Sequence, residues 1–162
     1  RQWCSLQRHK MEYRAVYRVL NDLFPRDVIR EAADTGEVSS TYRKAVVLRL
    51  DLCDYTSIAA RLEPLQVATL IHQIYSKLDE AVPERRIFKL DTIGDEYICA
   101  GWLEESQERL VCHMMMALAE TMLSVVDVES RKAGQRISCR IGIAVGSCVA
   151  GTMGKQQPRF QA

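Results

Sequence analysis

The sequence lacks an excess of charge of either sign. Its 162 residues contain 22 lysines and arginines against 21 aspartates and glutamates, a formal net charge of +1. A chain so balanced has no strong electrostatic reason to bind nucleic acid or a membrane surface non-specifically. Its length is that of one globular domain, and its 48% hydrophobic residues exclude a wholly disordered chain.

The sequence also lacks metal-binding cysteine spacings and long hydrophobic runs. Its six cysteines are scattered, and none forms a C-x-x-C pair or clusters with histidine, which argues against a zinc site or a redox dithiol. We predict reduced thiols in an intracellular, cytosolic domain. No run reaches ~18 uncharged apolar residues, so this segment should make no direct membrane contact. Because the chain begins at Arg1, we expect a piece of a larger protein, which leaves a membrane-bound parent open.

Residues 1–24 are predicted to form a helical stalk. Leu6 begins one row of residues spaced seven apart, and Trp3 begins a second row three positions ahead. Two such rows are typical of a parallel coiled coil, although an amphipathic helix packed on its own domain fits equally well. Pro25 suits the first turn of the next helix, so we place the start of a second region, 25–162, there.

Beyond Pro25 the hydrophobic pattern alternates between helix and strand periods. We predict a helix at 26–33, a helical segment from about 57 with its longer part after Pro64, a helix at 106–130, and strands at 45–52, 86–90, 96–101, 137–145 and 148–152. The helix after Pro64 is predicted to bury Leu65, Ala68, Ile71, Ile74, Tyr75 and Leu78. The order predicts an α+β fold, a ferredoxin-like βαββαβ antiparallel sheet with helices on one face.

Two carboxylates are predicted to meet on this sheet. Asp51 lies near the end of the first strand and Asp95 in the link between the next two strands, whose hairpin lies beside the first strand in a βαββ core. Two hard oxygen ligands there suit Mg²⁺ or Mn²⁺ holding a triphosphate, although each aspartate alone could simply end a strand or make a turn. The strand-to-helix junction at 52–56 offers backbone N–H groups to an anion. Arg140 lies mid-strand, where it either faces solvent or contacts phosphate.

Four motifs in order resemble the class III nucleotidyl cyclases, the adenylate and guanylate cyclase catalytic domain. They are the segments Leu23–Val28, Asp51–Thr56, Phe88–Tyr97 with its Thr-Ile-Gly-Asp run, and the glycine-rich Arg140–Gly154. The resemblance runs from about residue 20 to the end and identifies 25–162 as the catalytic domain. It also implies that the family's ribose-orienting asparagine and transition-state arginine lie beyond Ala162.

The resemblance implies a two-metal reaction. Asp51 and Asp95 would bind two Mg²⁺ or Mn²⁺ ions, with the carbonyl of Leu52 as a further ligand. The β- and γ-phosphates would be held by the backbone amides of Cys53, Asp54, Tyr55 and Thr56 and by the side chain of Arg140. The ribose 3′-hydroxyl would attack the α-phosphate of GTP or ATP and release pyrophosphate. The family builds this site between two catalytic domains, so a second cyclase domain is expected, as a homodimer or a pseudo-heterodimer.

The choice of base rests on Asp91 and Gln161. Typical adenylate cyclases have lysine at the position of Asp91 and typical guanylate cyclases have glutamate, so a carboxylate there favours GTP, unless Asp91 is only a turn residue. Gln161 can pair with either base. Asp54 stands where glycine is usual and Tyr55 where phenylalanine is usual. An adenylate cyclase, a diguanylate cyclase and a non-catalytic regulatory or dimerisation partner remain the alternatives.

Overall fold

The computed structural model describes residues 14, 26–35, 41–82, 86–153 and 159–161. Of the predicted stalk only Arg14 falls among them, in helical conformation and exposed, so the stalk itself lies outside the described residues. The chain divides into two compact units, residues 1–41 with 151–161, and residues 42–150 with 162.

In the first unit the described elements are a helix and a strand pair. Helix α1, Arg26–Thr35, begins directly after Pro25 and buries Val28 and Ile29. The last residues of strand β4, Cys139–Met153, pair antiparallel with strand β5, Arg159–Gln161. The predicted helix at 26–33 is therefore confirmed with two further residues.

The second unit is built from a sheet and three helices. Along the chain these are β1 (Thr41–Leu52), α2 (Tyr55–Arg61), α3 (Pro64–Ala81), β2 (Ile87–Ile93), β3 (Glu96–Trp102), α4 (Glu108–Lys132) and most of β4. The strands lie in the order β2-β3-β1-β4, and β3 runs antiparallel to both β1 and β2. This order confirms the predicted βαββαβ fold.

Strand β1 separates a buried face from a polar one. Val46, Leu48, Leu50 and Leu52 are almost fully buried in the hydrophobic core. Burial of each such side chain contributes about 1.5–3 kcal/mol to folding. Because successive side chains of a strand point to opposite faces, Arg49 and Asp51 project from the face opposite this core.

Helices α3 and α4 pack against each other and supply the other half of the core. The predicted buried face of α3 is partly wrong, because Leu65 is 79% exposed and Ala68 is also exposed, while Val67 and Leu70 are buried with Ile74 and Leu78. The buried row starts one turn into the helix at Val67 and advances in steps of three and four.

Helix α4 begins at Glu108, two residues after the predicted start at 106. It is long and apolar enough to cross a membrane by composition, yet it packs into the core of this unit. The residues that do so are Val111, Met115, Leu118, Met122 and Val126.

The strand boundaries differ from the prediction in several places. Strand β1 begins at Thr41, four residues before the predicted start, and β4 begins at Cys139, two residues after it. Strand β2 continues to Ile93, so the link to β3 is the two-residue turn Gly94-Asp95 rather than the five residues 91–95. Gly94 has φ of 63°, a conformation that glycine adopts without strain and that suits a tight hairpin. Strand β4 is continuous through Gly146, where two strands were predicted, because an extended glycine does not interrupt the backbone.

Candidate active site

Asp51 and Asp95 meet at one end of the sheet. Asp51, near the end of β1, lies opposite Glu96, the first residue of β3, and Asp95 immediately precedes Glu96. The backbone N–H of Leu52 donates to the carbonyl of Asp95 over 3.3 Å. The turn that carries Asp95 is therefore attached to the end of the strand that carries Asp51, as the sequence predicted.

Arg140 reaches this point from the neighbouring strand β4. Its Nε and Nη2 atoms each lie 2.6 Å from Oδ2 of Asp51. Cys139 and Ile141 pack against the core, so the side chain between them points to the opposite face, where Asp51 also lies. The hydrogen bond and the charge of Asp51, with a smaller contribution from Asp95, raise the pKa of the guanidinium. Arg140 therefore lies in the field of both carboxylates.

Tyr75, which the sequence pattern places only on an apolar helical face, approaches the same point from the helix side. Its hydroxyl donates to the carbonyl of Gly94 over 3.4 Å. Burial raises the pKa of Tyr75 to about 12, and the charges of Asp95, Asp51 and Glu96 add to the effect. Because three carboxylates raise the pKa of this half-buried tyrosine, negative charge is concentrated near its hydroxyl. The sequence gives no sign that Tyr75 lies beside these carboxylates, because its spacing is that of an apolar helical row.

Glu96 and Arg49 were also missed by the sequence analysis. They form an ion pair beside Asp51 on the same face of the sheet. Their positions on β3 and β1 follow from the strand register, which pairs Asp51 with Glu96. Two arginines thus balance part of the negative charge at this end of the sheet.

The donor set fits a hard divalent cation. Within the described residues no group of three or more His, Cys, Asp or Glu side chains is placed to hold a metal ion. The candidate ligands that the sequence predicts are Asp51, Asp95 and the carbonyl of Leu52. Oxygen donors of this kind are those that Mg²⁺ and Mn²⁺ prefer, with water completing the coordination.

The predicted phosphate-binding segment is only partly available. The N–H of Cys53 donates to the carbonyl of Ser138 over 2.8 Å and so is occupied within the protein. Tyr55 and Thr56 begin α2, where the first-turn N–H groups have no acceptor inside the helix. Asp54 precedes them with φ of 59°, a left-handed conformation that glycine or a short polar residue tolerates. This backbone requirement explains how aspartate can stand where glycine is usual.

The two base-recognition candidates lie in different units. Asp91 is half-buried in β2, at a bulge between Lys89 and Asp91, and its Oδ1 accepts from the N–H of Thr92 over 2.7 Å. It is a strand residue, and the alternative of a plain turn residue is wrong. Gln161 lies in β5 opposite Gly151, and its side chain is outside the described residues.

A second polar cluster links helix α3 to the β2–β3 hairpin. The hydroxyl of Tyr97, which is fully buried, donates to Asp79, and Nζ of Lys89 lies 2.8 Å from Oδ1 of Asp79. Lys89 also sits 4.8 Å from the centre of the Tyr97 ring. These contacts join α3 to β2 and β3, the strands on either side of the Gly94-Asp95 turn.

Fold and site together define an α+β domain with paired carboxylates and an arginine at one end of an antiparallel sheet. The family model described as the adenylate and guanylate cyclase catalytic domain matches residues 37–162. The chain belongs to this family.

Curated relatives and solved structures agree with this assignment. The soluble guanylate cyclase subunit alpha-1 of Bos taurus is 33% identical over 151 residues, which cover 92% of this chain and 22% of the relative. The chain thus spans about a fifth of the length of the curated relatives it matches.

Two solved structures illustrate the shared fold. The non-canonical dimeric guanylyl cyclase domain of the RhoGC fusion protein from the aquatic fungus Blastocladiella emersonii has a TM-score of 0.64 at 19% identity, covering 77% of this chain and 68% of that one. The guanylate cyclase domain of RhGC from Catenaria anguillulae, in complex with GTP, has a TM-score of 0.64 at 18% identity, covering 75% and 66%.

Proposed function

We propose that this chain is the catalytic domain of a class III nucleotide cyclase that converts GTP to 3′,5′-cyclic GMP and pyrophosphate in signal transduction. The observation that carries the proposal is the convergence of Asp51, Asp95 and Arg140 from three strand ends in a chain of this family. A structural role alone does not require two aspartates and an arginine at the same end of the sheet.

The two carboxylates and the Leu52 carbonyl would hold two Mg²⁺ or Mn²⁺ ions. Bound there, such ions lower the pKa of the ribose 3′-hydroxyl and neutralise charge on the triphosphate. Asp51, near the end of β1, and Asp95, in the turn before β3, would thereby set the position of the α-phosphate relative to the sheet. As the 3′-hydroxyl loses its proton to water and its oxygen bonds to the α-phosphorus, the bond to the β-phosphate oxygen breaks and pyrophosphate leaves.

Arg140 and the start of α2 would hold the leaving group. The guanidinium fork matches phosphate oxygens, and the N–H groups of Tyr55 and Thr56 add neutral donors at a helix start. Their task is to keep the β- and γ-phosphates in line with the breaking bond.

GTP is the favoured substrate because of Asp91. A carboxylate accepts hydrogen bonds from the N1–H and 2-amino groups of guanine, and adenine has neither donor. ATP remains the alternative substrate, since an amide such as that of Gln161 pairs with either base.

A second cyclase domain is the proposed partner, identical to this chain or not. The Blastocladiella domain forms a non-canonical dimer, which supports the association of two cyclase domains but not a particular arrangement of them. We place the domain in the cytosol, where GTP is available, whether or not the parent protein is membrane-bound.

The test compares amide substitutions at three acids on the same end of the sheet, in the chain assembled with its partner domain. Asp51→Asn and Asp95→Asn should each lower kcat/KM for cyclic nucleotide formation by at least about 100-fold, since losing a metal ligand costs no less than losing the residue that orients one. Glu96→Gln, the matched control, should stay within a few-fold of the wild type, about 1 kcal/mol or less.

Product analysis separates the alternatives. A dinucleotide product from GTP would identify a diguanylate cyclase and overturn the proposal. No turnover of GTP or ATP, together with no Mn²⁺-dependent binding of a GTP analogue, would indicate a non-catalytic partner.

A further inference from the structure

The proposed phosphate ligand and a proposed metal ligand are bound to each other in this structure. Nε and Nη2 of Arg140 both contact a single oxygen, Oδ2 of Asp51, at 2.6 Å. The Asp51 side chain is 23% exposed and that of Arg140 is 79% exposed. The arginine therefore occupies a carboxylate oxygen that a cation would need, while most of its own side chain remains exposed to solvent.

We infer that Arg140 is an internal counter-ion which occupies Asp51 until a cation binds there and then transfers to the triphosphate. The inference rests on the proposed function and adds a regulation of the same site. A cation and a guanidinium cannot share one carboxylate oxygen at full strength, because both carry positive charge and both seek the same lone pairs. The Arg140–Asp51 pair and the cation-bound Asp51 are therefore competing states.

The contacts of Arg140 permit the transfer. Its backbone is held by strand β4, since the flanking Cys139 and Ile141 pack against the core. Its side chain is mostly in solvent, and Asp51 is the acceptor that the described residues provide. An exposed ion pair of this kind contributes about 0.2–1 kcal/mol, so breaking it opposes cation binding only modestly.

The exchange makes the cation and the nucleotide bind cooperatively. A divalent cation on Asp51 repels the guanidinium and leaves it without its carboxylate. A triphosphate that arrives with the cation supplies the anionic oxygens that the guanidinium then binds. Metal alone should bind weakly, and metal with nucleotide should bind more tightly than the separate affinities imply.

The exchange of partners predicts that one substitution at Arg140 strengthens the binding of Mn²⁺ and weakens the binding of the nucleotide. In Arg140→Gln, Mn²⁺ alone should bind about two- to fivefold more tightly, because the competing cation is gone. In the same variant, a non-hydrolysable GTP analogue in saturating Mn²⁺ should bind at least about tenfold more weakly, because a charge-assisted contact to phosphate is lost. A residue that only stabilises the fold would not tighten one ligand and weaken the other.

The experiment measures the dissociation constant of Mn²⁺ alone by calorimetry, and independently by the electron paramagnetic resonance signal of free Mn²⁺. The matched control is Arg49→Gln, which removes the same charge from the same end of the sheet but breaks the ion pair with Glu96 instead. A gain in Mn²⁺ affinity confined to Arg140→Gln is the expected result.

Failure of the inference and failure of the proposed function give different results. Suppose that Asp51→Asn abolishes Mn²⁺ binding. If Arg140→Gln then leaves the Mn²⁺ affinity unchanged, or if Arg49→Gln raises it as much as Arg140→Gln does, the counter-ion role is overturned and the metal site stands. If Asp51→Asn binds Mn²⁺ as the wild type does, or no variant binds it at all, the metal site is overturned and the inference with it.

Discussion

At the scale of single residues, the site depends on which face of a strand a side chain occupies. Asp51 lies between Leu50 and Leu52, and Arg140 lies between Cys139 and Ile141, all four of which contact the core. Each charged residue therefore points away from the helices, and the two side chains meet on the same face. A one-residue insertion upstream in β1 would turn Asp51 into the core and bring Leu50 or Leu52 to the site.

Asp91 supports a prediction about base choice. Asp91→Lys should lower kcat/KM for GTP at least about tenfold more than for ATP, because lysine cannot accept hydrogen bonds from guanine. Initial rates with both nucleotides, measured for the wild type and the variant, give the ratio.

Asp127→Lys makes the same change of charge on α4, where Asp127 pairs with Arg131, and serves as the control. It should not alter the GTP-to-ATP ratio. Equal losses on both nucleotides in Asp91→Lys would remove Asp91 from base recognition.

At the scale of elements, the type of every described helix and of strands β1 to β4 was predicted, but strand β5 and the orientation of the helices were not. The apolar pattern of α3 contains more candidates than one face can bury, and Leu65 and Leu78 were both assigned to the core. Contact with the sheet selects the row that includes Val67 and Leu78, and it leaves Leu65 in solvent.

The two leucines of α3 provide a matched pair for stability. Leu78→Ala should lower the free energy of unfolding by about 2–5 kcal/mol, because Leu78 is fully buried and its loss leaves a cavity. Leu65→Ala should change it by no more than about 0.5 kcal/mol, since Leu65 is 79% exposed. Denaturant unfolding of both variants checks this, and similar losses would contradict the assigned face.

At the scale of the whole molecule, the balanced net charge conceals an uneven distribution. The proposed site carries three acids and two arginines at one sheet end. The core of the second unit instead holds titratable groups in their neutral form. Five of the six cysteines fall among the described residues, each as a free thiol, and burial raises the pKa of Cys99 to about 12.

Stability should therefore fall at alkaline pH. The pKa of Cys99 rises from 9.0, and that of Tyr75 from 10.0, each to about 12 in the folded protein. Between these values the unfolded chain has lost protons that the folded chain retains, so the free energy of unfolding decreases as pH rises. Below about pH 9 the contribution is fully present, and above about pH 12 it is lost.

Denaturant unfolding from pH 8 to pH 12 measures this slope. Cys99→Ala should make it shallower by up to about 1.4 kcal/mol per pH unit, because one titrating group is removed. Val46→Ala, the control, removes buried atoms but no proton and should keep the wild-type slope at lower stability. Equal slopes in all three proteins would contradict the role of Cys99.

The sequence by itself determined the class of fold and the identity of the central acids. Periodicity of two and of about 3.6 is a local property, so strands and helices could be assigned from it. Asp51 and Asp95 could be paired because a βαββ order places the first strand beside the following hairpin.

Only the tertiary structure decided which side chains contact each other at the site. The Arg140–Asp51 contact joins residues separated by 89 positions, and the Tyr75–Gly94 contact depends on how α3 is rotated against the sheet. The hydrogen bond from the N–H of Cys53 to the carbonyl of Ser138, which makes this amide unavailable to phosphate, likewise depends on the register between β1 and the segment before β4. Such contacts follow from register and packing, which no local pattern specifies.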